Sequence, residues 1–72
     1  MKVYAVQLLA AETISKVERM KQIMETTSAI GVNPDYPFAY VLWRTQEQML
    51  LGFRLFERDF THAKIVDNVA EI

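Results

Sequence analysis

The chain has no cysteine, one histidine, two glycines and two prolines in 72 residues. Without thiols there is no disulfide and no thiolate metal centre, and a single histidine excludes a multi-histidine site. Gly31 and Gly52 stand too far apart to build a glycine-rich phosphate loop, so nucleotide-binding fingerprints are missing as well. Charge of one sign is also lacking: eight Lys and Arg face nine Asp and Glu, a formal net charge of −1. A general nucleic-acid binder carries a basic surplus to neutralise phosphates, and the chain as a whole has none. No uncharged run approaches the roughly 20 residues that a bilayer-crossing helix needs. The apolar run from Val3 to Ala11 contains Gln7 and leads into a charged helical pattern, so it does not read as a secretory leader. With cysteine absent too, the expected compartment is cytoplasmic.

What the chain does have is apolar bulk. Hydrophobic residues make up 51% of it, which excludes intrinsic disorder, and 24% charged residues keep a folded form soluble. The length predicts one small domain over residues 1–72. A chain this short buries only about 60–65% of its unfolded surface, so its own core is marginal and a partner subunit would add to it.

Lys2 to Leu9 reads as a strand dense enough in apolar residues to be buried on both faces. A helix follows. Ser15-Lys16-Val17-Glu18 has capping-box spacing, and Glu12-Thr13 offers a start one turn earlier. Ile14, Val17, Met20, Ile23, Met24 and Ile30 recur at helical spacing, Glu12 and Lys16 can pair one turn apart, and Gly31 is the expected stop. Asn33-Pro34-Asp35-Tyr36-Pro37 reads as a loop, since its two prolines forbid helix and central strand alike. Phe38 to Arg44 then reads as a second strand.

The next segment admits two readings. Thr45-Gln46-Glu47-Gln48 fits a capping box, and a helix from Gln46 to about Phe60 aligns Met49, Gly52, Phe53, Phe56 and Phe60, with Gly52 permitting close approach to the sheet. That helix leaves Leu51 and Leu55 outside its core face. Ala63 to Val66 then becomes a third strand, and Asp67-Asn68 can turn the chain back into Val69 to Ile72. In the other reading, Thr45 to Gln48 is a hairpin loop, Met49 to Phe56 is a strand, and Thr61 caps a final helix. The helical reading is preferred because the capping box follows a buried strand at the distance βα units use. It gives βαβαβ. The alternative is βαββα, most of a ferredoxin-like unit lacking its last strand, and both are two-layer α/β (α+β) sandwiches.

The chemistry-bearing residues are sparse. His62 has no nucleophile or carboxylate in a recognised setting and reads as a partly packed residue at an element boundary. The nine carboxylates read as solvated helix faces. No catalytic residue, cofactor or metal is therefore expected. Leu51 and Leu55, with Tyr36 and Trp43 as companions, make an apolar ridge that suits a subunit interface. The leading expectation is a non-enzymatic interaction module that self-associates as a homodimer through this ridge or a sheet edge, with another protein as the alternative partner. The competing expectation is a nucleic-acid module using Trp43, Arg44, Arg54 and Arg58, in which aromatics on an open strand stack on bases. Against it, Tyr40 and Trp43 point to opposite faces of a regular strand and cannot form one platform.

Overall fold

A computed structural model of the protein describes residues 2–66. Their order is β1 (Tyr4–Leu9), α1 (Ala10–Ser15), α2 (Val17–Thr27), β2 (Gly31–Asp35), β3 (Phe38–Trp43), α3 (Gln46–Asp59) and β4 (Lys64–Val66). The four strands form an antiparallel sheet in the order β2-β3-β1-β4. This is the split-βαβ, or ferredoxin-like, arrangement, in which each half contributes one inner and one outer strand.

The two inner strands are the apolar runs that stand out in the sequence. β1 pairs with β3 from Tyr4↔Trp43 to Leu9↔Phe38, and with β4 through Val6↔Ile65. Residues opposite one another share a face, so Val6, Leu8, Val41 and Trp43 all meet the helices. Ile23 of α2 and Met49, Phe56 and Phe60 of the α3 region close the core from above. Ala5, on the far face between Leu42 and Val66, is also fully buried, as expected for a central strand.

The two-layer α+β class is the one expected, but the topology has one more strand than the preferred βαβαβ; the ferredoxin-like order of the alternative is present, completed by β4, but on other residues, since Met49 to Phe56 is helix and the second strand is Gly31–Asp35. The added strand is β2, where the prolines suggest a loop. Pro34 pairs opposite Ala39, and among the described residues β2 has a neighbour on one side only, so a missing N–H costs no ladder bond to a second strand there. The turn from β2 to β3 is Tyr36-Pro37, with a cis peptide bond.

Three local expectations are also corrected. The helical region starts directly after β1 and breaks at Lys16 (φ −120°, ψ 38°), and the Ser15 hydroxyl donates to the Glu12 carbonyl at 3.1 Å instead of capping α2. α2 ends at Ser28, in the left-handed region at φ 59°, and Gly31 already belongs to β2. Of the apolar stripe, Ile23 is buried, whereas Ile14 (76% exposed) and Val17 lie outside the core. The start of α3 is as read: Thr45 Oγ1 accepts from the Gln48 amide at 3.2 Å. The expected return through Val69 to Ile72 lies outside the described residues.

Candidate interaction surface

α3 lies on the sheet by one narrow stripe. Met49, Gly52 and Phe56 are buried, and Gly52 sits against the Trp43 indole so closely that a Cβ there would stand 2.2 Å from Cζ2. This contact fixes the rotation of the helix and hence what it shows to solvent. Leu50 (41% exposed) and Leu51 (57% exposed) are turned outward. Beside them runs a shallow groove of about 380 Å³, lined by Leu50, Leu51, Phe53 and Ile65, with Glu47, Arg54 and Glu57 as its charged rim.

The expected interface residues divide. Leu51 is on this exposed face. Leu55 is partly buried and packs against the core, so it belongs mainly to the monomer. Trp43 is fully buried, edge-on to Phe56 at 6.3 Å between centroids, with its Nε1 donating to Thr27 Oγ1 at 2.9 Å; it offers no contact surface. Tyr36 is 86% exposed but lies in the β2–β3 turn, at the opposite end of β3 from Trp43 and Gly52. The residues of the nucleic-acid reading divide too. Arg44, Arg54 and Arg58 are exposed, while burial of Trp43 removes the ring meant to stack on bases. Sequence reasoning misses Leu50 and the Phe53–Ile65 groove, although a helical projection of α3 places Leu50 beside Leu51 on the outer face.

The sheet face away from the helices carries a second, smaller feature. Tyr40 Oη donates to Gln7 Oε1 at 3.1 Å, and Gln7 Nε2 lies 2.8 Å from His62 Nε2. Since the Gln7 oxygen is taken by Tyr40, its amide nitrogen donates and His62 Nε2 accepts, which places the imidazole proton on Nδ1. His62 also stacks on Phe38 at 5.7 Å. These contacts pair Gln7, Tyr40 and His62 with one another and leave His62 partly packed at the edge of the sheet.

A third cluster ties α1 and α2 to the end of α3. The Glu12 carboxylate accepts from the Thr61 amide at 2.9 and 3.0 Å and from the Thr61 hydroxyl at 3.2 Å, and Lys16 Nζ lies 3.4 Å away. Burial pushes the Glu12 carboxyl up, but the hydrogen bonds from Thr61, His62 and Lys16 together outweigh it and hold it below its ordinary value. Lys16 Nζ also donates to the Asp59 carbonyl, and Arg19 Nε pairs with Asp59 Oδ2 at 2.7 Å. Cations thus meet the carbonyl end of α3, where the helix dipole favours them. The cluster is a brace, with each group's partner already in place. Among the described residues no group of three or more His, Asp or Glu is placed to hold a metal ion, and no helix is long and apolar enough to cross a membrane.

Fold and surface together define a small two-layer α+β domain with an exposed apolar face on α3, the longest helix among the described residues. No protein-family model, curated protein or solved structure matches the chain.

Proposed function

We propose that the protein is a non-enzymatic interaction module that self-associates through the outer face of α3. The observation that carries this reading is the pair Leu50 and Leu51, together exposing about one whole leucine, beside a groove of further apolar side chains. Burying one leucine side chain contributes about 1.5–3 kcal/mol, so a two-fold contact gains about 3–6 kcal/mol from these residues alone. A reversible dimer exchanging at about 10 µM to 1 mM needs a net gain of about 4–7 kcal/mol after the cost of association, so the apolar groove side chains beside the leucines must add to their share.

The test is light scattering coupled to size exclusion over that range. The mass should climb from 8.4 kDa toward twice that value with concentration. Leu51→Asp, at a position already in water in the monomer, should keep the far-UV circular dichroism of the parent and hold the mass at one chain. A wild type that stays monomeric at about 1 mM, or a Leu51→Asp variant that dimerises as before, refutes the reading.

A further inference from the structure

We infer that two copies pair α3 against α3 in antiparallel fashion, about a two-fold axis passing between Leu50 and Leu51, with Glu47 of each copy against Arg54 of the other. This rests on the self-association proposed above and gives it a register.

The argument begins with the rotation of α3. Met49, Gly52 and Phe56 mark its buried side. At 3.6 residues per turn, Glu47 and Arg54 fall on the opposite side, on the outward midline, with Leu50 and Leu51 flanking that line. Both charged residues are exposed and line the same groove as the leucines. Glu47 is three residues before Leu50 and Arg54 three residues after Leu51, so the four positions are symmetric about the Leu50–Leu51 midpoint. A two-fold axis there lays the Leu50–Leu51 pair of one copy on the same pair of the second, and sets Glu47 against its Arg54, twice over. In a two-fold contact, whatever one side presents the other must receive, and this face is complementary to itself. Reversing the direction of the second helix abolishes the match: in parallel pairing Glu47 meets Glu47 and Arg54 meets Arg54.

The charges are also at liberty to pair. Seven residues apart on one helix, Glu47 and Arg54 do not reach each other. Among the described residues neither side chain has an ion-pair or hydrogen-bond partner in its own chain. A second copy supplies for each the opposite charge along the seam, one turn to either side of the leucine contact, where such pairs set orientation and exclude wrong registers.

The test uses charge reversal on the full chain. Glu47→Arg and Arg54→Glu should each dimerise about tenfold or more weakly than wild type, because each change turns both symmetric contacts from attraction to repulsion. Mixing the two single variants should restore association as a heterodimer. The arginine introduced in one variant then faces the glutamate introduced in the other, and the native Arg54 of the first faces the native Glu47 of the second. Unchanged circular dichroism establishes that each variant is folded. If wild type dimerises but the single variants match it, or the mixture stays as weak as its components, the register is wrong while self-association stands. If wild type does not dimerise at all, both readings fall.

Discussion

Replacing Gly52 by alanine should destabilise the protein, although alanine is the better helix former. In the interior of an exposed helix the change would favour folding by about 1 kcal/mol. Here the new methyl would stand 2.2 Å from Trp43 Cζ2, 2.8 Å from Cη2 and 2.9 Å from Cε2. The indole cannot swing away cheaply, because it is fully buried, wedged edge-on against Phe56 and held by its bond to Thr27. Overpacking of this kind costs about 1–3 kcal/mol, and so rigid a wall places the cost at the upper end. The net loss is then about 2 kcal/mol, a large share of the stability such a chain commands. For a domain of this size that lowers the midpoint of thermal unfolding by about 10 °C. Trp43 is the sole tryptophan, so its fluorescence reports on the site itself, and circular dichroism reports on the whole fold. In a Trp43→Phe background the smaller ring lacks the atoms that clash, and the alanine should there be neutral or stabilising. A Gly52→Ala variant as stable as wild type, or an equal loss in both backgrounds, refutes the account.

Two further outcomes follow from polar contacts. Thr27→Val removes the acceptor of a buried indole N–H and should cost about 1–3 kcal/mol in urea unfolding, whereas Thr27→Ser should lose less; equal losses would show that the hydrogen bond is not the cause. Glu12→Gln should alter the pH dependence of stability. Because the folded carboxyl titrates below its ordinary value of 4.5, its contribution is fully present above the unfolded pKa and is lost as pH falls through the folded one. Wild type should therefore exceed Glu12→Gln near neutrality and converge with it in acid, and a gap independent of pH would contradict the hydrogen-bonded carboxylate.

Much of the fold is legible where burial and local chemistry agree. β1 and β3 show as apolar runs because both are inner strands, and α3 shows twice over, in its capping box at Thr45 and in a stripe that repeats every third or fourth residue. Gly52 is legible as a point of close approach for the same reason. β2 is not, because Val32, Asn33, Pro34 and Asp35 are all exposed and its order comes from pairing with β3, a partner that local sequence does not reveal. The end of α2 is hidden for a related reason: Ser28 adopts the left-handed cap that glycine usually takes, so the nearest glycine points three residues too far. Of the surface residues, Leu51 is legible as exposed because helical periodicity places it opposite Met49 and Phe56. Trp43 misleads because an aromatic at a strand end looks alike whether it faces water or the core; the Gly52 contact that decides the matter joins two different elements.

Pro34 has a bearing on how far assembly can go. Indefinite polymerisation through strand pairing requires a donor rim on one molecule and a receptive rim on the next, repeated without closure. In this sheet one of the two rims is β2, only five residues long, and a proline with no amide hydrogen interrupts it. Rim-to-rim pairing along β2 therefore lacks one ladder bond at every junction, which disfavours strand-to-strand propagation from this edge.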